Sequence, residues 1–142
     1  MGQIHSYRAR LSGPLLDRID IQLEIPPLDY RELWTKEGED SETIRKRVTT
    51  AREFQYARYG NGITNSQLDP KDTEKYCLVE NHERQLLGDA ADRLALSARA
   101  INRLLKVART IADLAGERDL SEPHIAEAAG YRCFDVGPAG AR

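Results

Sequence analysis

The chain has 142 residues, 40% of them hydrophobic and 31% charged, with a formal net charge of -2. That suffices for one soluble domain around a single core, and the charge balance excludes a globally basic nucleic-acid binder while leaving local basic patches open. No apolar run approaches the ~20 residues of a membrane span and the amino terminus lacks the succession of a signal peptide, so a cytoplasmic protein without membrane contact is expected.

In chain order, Ser12 can cap a short helix over residues 13–18, with Pro14 in the first turn, where a missing amide costs nothing. Strict alternation follows: Ile19, Ile21, Leu23 and Ile25 on one face, Asp20, Gln22 and Glu24 on the other, stopped by Pro26 and Pro27. This reads as one half-buried strand, and the only convincing one. A single strand cannot satisfy its own amides and carbonyls, so its partners are missing. Beyond the prolines everything reads helical. Residues 29–34 suit one or two turns, and 35–40 a polar loop. Ser41 begins a long helix with Ile44, Val48 and Ala51 as its apolar stripe and Phe54 beside it, ending near Gly60 and Gly62. Residues 63–71 read as loop and 72–79 as a brief helix. Asn81 opens another helix, with Leu86, Leu87, Ala90, Ala91 and Leu94 on one face.

The strongest helix follows Ser97: Ala98, Ile101, Leu104, Leu105, Ala108, Ile111, Ala112 and Ala115 keep the 3.6-residue period until Gly116. A last helix runs from Ser121, with Pro123 in its first turn, to Gly130. The aperiodic tail 136–142 reads as disordered.

Several residues stand out chemically. Arg18 ends a short helix just before a strand, where a rigid scaffold can aim a guanidinium outward; the plain alternative is a solvated arginine paired with Asp17 or Asp20. Arg99 lies in the first turn of the strongest helix, where free amides and the helix dipole favour an anion. Arg103, Lys106 and Arg109 continue a basic stripe, which periodicity alone assigns to a solvated face. On the helix from Ser41, five basic residues (Arg45, Lys46, Arg47, Arg52, Arg58) face two acidic ones (Glu42, Glu53), with Phe54, Tyr56 and Tyr59 interleaved. Such a mixture can track single-stranded nucleic acid, although aromatics of this kind more often belong to a core.

Other chemistry is not encoded. No Gly-x-x-x-x-Gly-Lys-Ser/Thr loop occurs, no apolar strand ends in paired acids, and His5, His82 and His124 lack catalytic or metal-ligating partners. Cys77 and Cys133 are far from each other and from zinc spacing, so they read as reduced, buried thiols, and no metal site is expected. The chain alone is not expected to hydrolyse ATP.

The run Leu11-Ser12-Gly13-Pro14-Leu15-Leu16-Asp17-Arg18-Ile19-Asp20 resembles the arginine-finger segment of the magnesium-chelatase-like AAA+ proteins, in their ComM-like branch. Independently, Leu96-Ser97-Ala98-Arg99 and the continuation to Ala108-Arg109-Thr110-Ile111-Ala112-Asp113-Leu114 are similar to the sensor-2 helix of that family. His124-Ile125-Ala126-Glu127-Ala128 with Tyr131-Arg132 resembles its closing helix. Ile101 and Asn102 depart from the pattern, which more often has an aromatic and a histidine there. The resemblance runs from Tyr7 to Arg132 and corresponds to about the carboxy-terminal third of a family member.

It implies a mainly α fold, in which a helical AAA+ lid (27–135) follows one short helix and one strand left over from the α/β core (1–26). It also implies that Arg18 is an arginine finger acting in trans, on ATP held by a neighbouring subunit, and that Arg99 contacts nucleotide phosphate. ATP and Mg2+ then belong to the complete assembly and not to this chain alone. The partners implied are the AAA+ core of the same protein or neighbouring subunits of a homo-hexameric ring, and DNA, for which Arg45, Lys46, Arg52, Arg103 and Lys106 are candidate contacts. Two alternatives stand beside this reading: a stand-alone helical module binding DNA or protein, and the lid of a true magnesium chelatase motor subunit.

Overall fold

The computed structural model describes residues 15, 18–27, 38–60, 62–77 and 81–132. They form α1 (Ser41–Tyr59), a single 3-10 turn (Asn65–Gln67), α2 (Pro70–Tyr76), α3 (Asn81–Arg93), α4 (Ala98–Ala115) and α5 (Glu122–Gly130), so the mainly helical class holds. The helix expected over 13–18 falls largely outside the described residues. The turns expected at 29–34, the tail 136–142 and Cys133 do so entirely. No helix among the described residues is long and apolar enough to cross a membrane.

The helix α4 organises the rest because both of its ends are defined locally. Ser97 caps it, its hydroxyl accepting the Ala100 N–H at 3.2 Å. At the other end Gly116 adopts φ +77°, which lets the Gly116 and Glu117 N–H groups donate to the carbonyls of Asp113 and Ala112 at 3.2 and 2.9 Å. Between these ends Leu104, Ala108 and Ala112 are buried with Leu120, Ile125 and Ala128 of the α5 region, and Leu86, Leu87 and Leu96 pack on the edge of that core. The alanines let α5 and α1 approach closely. Helix α3 ends with the same pair of hydrogen bonds, but with Ala95 at φ +49° in the left-handed position, a conformation that costs a non-glycine residue about 1–2 kcal/mol. Asp40 caps α1, accepting the Glu42 and Thr43 N–H groups at 2.8 and 2.9 Å. Hydrogen bonds from Thr43, backbone first, hold its carboxyl below the usual carboxylate range. His124, buried at the start of α5, accepts the Ser121 N–H at 3.1 Å and is a cap, while His82 pairs with Glu122 at 3.0 Å.

Several expectations change. Of the expected stripe of α1, Ile44, Val48 and Ala51, only Ala51 is buried, with Gln55; Ile44, Val48 and the neighbouring Phe54 are exposed, the first ten residues of the helix lying clear of the lid body. Residues 19–25 make one parallel bridge, Gln22 to Arg132, and no further strand pairing among the described residues. Their burial is the reverse of the expected one: Gln22 is buried, whereas Ile21 and Leu23 are 51% and 59% exposed. The helices supply polar anchors to this segment but no sheet to cover its apolar face.

A polar seam fastens the opposite side of α4. Asp113, fully buried, receives Arg58 of α1 through two hydrogen bonds at 2.6 and 3.2 Å, and Asn65 of the 3-10 turn at 2.8 Å. The Asn65 side-chain amide also donates to Thr110 at 3.0 Å, the Asn65 backbone N–H donates to Gln55 at 3.0 Å, and the Tyr59 hydroxyl donates to the Asn65 side-chain oxygen Oδ1 at 2.8 Å. Arg109, expected on a solvated face, is 2% exposed instead. Its guanidinium donates to the carbonyls of Arg118 and Glu117 at 2.9 and 2.7 Å, beyond the end of α4, and its Nε lies 3.3 Å from Asp113. Burial disfavours the Arg58 charge, but the hydrogen bonds to Asp113 and Tyr59 outweigh it and raise its pKa. Tyr59, half-buried, packs edge-on against Tyr76 at 4.8 Å between ring centres.

Removing one partner of a buried ion pair leaves the other charge desolvated. Asp113→Ala is therefore expected to lower the unfolding free energy of the chain by about 3–5 kcal/mol in urea titrations, against under about 1 kcal/mol for Glu42→Ala, which breaks an exposed pair with Lys46. A loss below about 1 kcal/mol for Asp113→Ala contradicts the hub.

Cys77 is free and buried, and burial pushes its thiol from 9.0 up to about 11. Below pH 9 both folded and unfolded chains keep the proton, so the stabilisation is complete. Above it the unfolded thiol ionises first, and the stabilisation is lost as pH climbs toward 11. Unfolding followed from pH 8 to 11 should show this decline, and Cys77→Ala should flatten it; identical slopes would contradict the assignment.

A candidate anion site on the lid helix

The start of α4 and the segment after residue 15 meet at one open cavity of about 510 Å³, lined by Arg18, Pro70, Ala98, Arg99, Asn102, Arg103 and Lys106. Arg18 and Arg99, 81 positions apart in sequence, thus face the same space. Their placement has local causes. The Arg18 N–H donates to the Leu15 carbonyl at 3.0 Å, closing a turn just before the chain extends. Arg99 is the second residue of α4, two positions after its Ser97 cap, on the end of the helix that attracts negative charge.

The four basic side chains are not equivalent. Arg18 and Arg99 are exposed, and neither has an ion-pair partner among the described residues. Arg103 is anchored, its Nε 2.8 Å from Asp20. Lys106 is occupied by the carbonyls of Ser66, at 3.3 Å, and Leu68. The arrangement offers two uncommitted guanidinium groups and a helix amino terminus, backed by two fixed cations. That donor set suits phosphate oxygens, because guanidinium is permanently charged and donates in a planar fork. Among the described residues no group of three or more His, Cys, Asp or Glu is placed to hold a metal ion.

The other candidates fall apart from this cavity. Arg45 and Lys46 line a separate shallow depression on α1 with Ser41, Glu42, Thr49 and Thr50, and Lys46 pairs with Glu42 at 2.8 Å. Arg52 is exposed on the same helix. Arg103 and Lys106 join Arg18 and Arg99 instead. Sequence reasoning passed over Asp20 as a partner of Arg103, and over Arg132, which is 1% exposed and donates to the Ile19 carbonyl at 3.4 Å. The alternation of Asp20 and Gln22 was the available signal, since it marks a polar face that something must meet.

The described residues thus form a helical lid domain with an arginine in the first turn of α4 and a second on the segment packed against it, and sequence comparison gives the family. The family described as magnesium chelatase, subunit ChlI C-terminal, matches residues 38–132, and that described as magnesium chelatase, subunit ChlI, matches residues 1–33. The chain belongs to the magnesium chelatase ChlI C-terminal family. It is similar to Competence protein ComM of Haemophilus influenzae, 44% identical over 134 residues, which are 93% of this chain and 26% of that protein. Uncharacterized protein YifB of Salmonella typhimurium is 44% identical over 131 residues, 91% of this chain and 26% of the relative. An uncharacterized Mycobacterium tuberculosis protein is 33% identical over 128 residues, 89% of this chain and 25% of the relative. The chain thus spans about a quarter of the length of the curated relatives it matches.

Because Arg18 and Arg99 are exposed and carry no structural pair, Arg18→Ala and Arg99→Ala are expected to leave the unfolding free energy within about 0.5 kcal/mol of the parent. Losses above about 1.5 kcal/mol would show that these arginines serve the fold instead of a ligand.

Proposed function

We propose that this chain works within a longer protein as the lid and arginine-finger portion of an ATP-driven ring motor acting on DNA. The observation that carries the reading is the shared cavity: Arg18 and Arg99 open onto one space, so one anion can meet both. In this reading that anion is the phosphate chain of ATP held by a neighbouring subunit. Arg18 reaches it as a finger in trans, and Arg99 reaches the same nucleotide from the first turn of α4. Family membership supports the assignment; because the sequence carries no phosphate-cradling loop, the reading needs the nucleotide pocket to be supplied from outside these residues.

In that geometry Arg18 would oppose the charge that develops on the transferred phosphoryl group, a contribution worth about 10³ to 10⁵ in rate in related systems. Arg103 and Lys106, fixed by Asp20 and by the Ser66 and Leu68 carbonyls, would raise the local positive potential without competing for the phosphate oxygens. Movement of the lid with nucleotide state would transmit the change to DNA. DNA contact is assigned to the exposed basic side chains Arg45, Lys46 and Arg52 of α1. The exposed apolar face of residues 19–25 would pair with the edge of the nucleotide-binding sheet.

The test is the ATPase rate of the full-length protein with Arg18→Ala. Turnover should fall by about 10³-fold or more while nucleotide affinity stays close to that of the parent. Unaltered turnover would overturn the finger assignment.

A further inference from the structure

The finger segment is bound to the lid at three points within four residues. Directly after Arg18, the Ile19 carbonyl accepts Arg132 at 3.4 Å. The Asp20 carboxylate holds Arg103 Nε at 2.8 Å, and the Gln22 N–H donates to the Tyr131 carbonyl at 2.7 Å. Two of these anchors follow α5 and one lies on α4, one turn beyond Arg99. Arg132 and Gln22 are buried, so this clasp is part of the packed structure, while the apolar residues of the same segment stay exposed. The segment therefore moves with the lid.

We propose that Asp20 and Arg132 are positioning residues that aim Arg18, locking the finger and the α4 start into one rigid unit that meets its phosphate together. The inference rests on the reading of Arg18 as a finger and adds what sets its direction. Neither residue lines the cavity, so neither touches the ligand. Each acts through the backbone or side chain beside Arg18. Asp20 fixes the chain two residues beyond the arginine, and Arg132 fixes the carbonyl next to it. A displacement of about 1 Å at a reacting group can cost 10²-fold in rate, so loosening this clasp should affect the chemical step before it affects binding.

The experiment uses the full-length protein, with Arg18→Ala as reference, and compares Asp20→Asn, Asp20→Glu and Arg132→Gln. Asp20→Asn is expected to lower kcat at least tenfold with KM for ATP within about twofold of the parent, and Asp20→Glu, which keeps the charge, should recover much of the loss. Amide exchange at Gln22 should quicken in Asp20→Asn and Arg132→Gln. If the buried substitution at Arg132 prevents folding, the exposed Asp20 pair decides by itself. An unchanged kcat in Asp20→Asn beside a crippled Arg18→Ala would overturn the positioning role while leaving the finger intact. An unchanged Arg18→Ala would overturn the finger and its positioning together.

Discussion

The carboxylate of Asp113 is the contact on which the rest of the lid depends. It is fully buried, and it joins α1 through Arg58, the 3-10 turn through Asn65 and the far end of α4 through Arg109. Two arginines and an amide around one acid compensate its desolvation, which a single partner would do poorly. The consequence reaches the candidate site along the helix. With the turn held by Asn65, the carbonyls of Ser66 and Leu68 stand where Lys106 can bond them. Lys106 in turn lines the cavity onto which Arg18 and Arg99 open.

Residues 19–25 look in two directions. Their polar members meet the lid, where Asp20 finds Arg103 and Gln22 forms the bridge with Arg132. Ile19, Ile21, Leu23 and Ile25 remain exposed, a row of apolar side chains with strand spacing. An alternating segment of this kind commonly divides its two faces between unlike surroundings. Here one face fastens the segment that carries Arg18 to the lid, and the other stays open to solvent.

Much of this was legible in the sequence where local rules govern. Ser97 and Gly116 bracket α4 as their chemistry requires, and the small and branched residues between them mark its buried face. Helix α2 starts at Pro70, two residues before the expected 72, because Asp69 caps it and Pro70 fits its first turn. Arg109 was misassigned for a tertiary reason. Periodicity places it on the basic stripe, but the carbonyls of Glu117 and Arg118, beyond the helix end, draw its guanidinium inward. The stripe of α1 failed in the other direction, since Ile44 and Val48 have helical spacing but no facing element among the described residues. The left-handed Ala95 carried no signal, because glycine usually occupies that position. As for the site, Arg18 and Arg99 were readable as separate motifs. Their common cavity was not, since it depends on the Asp20 and Arg132 contacts that fold one segment onto the other.

The most direct measurement is a structure of the full-length protein with a non-hydrolysable ATP analogue. The shared cavity predicts that Arg18 and Arg99 of one subunit both lie within hydrogen-bond distance of phosphate oxygens of the same nucleotide, held by the neighbouring subunit. Arg18 and Arg99 of one subunit contacting two different nucleotides, or only one of them contacting phosphate, would contradict it.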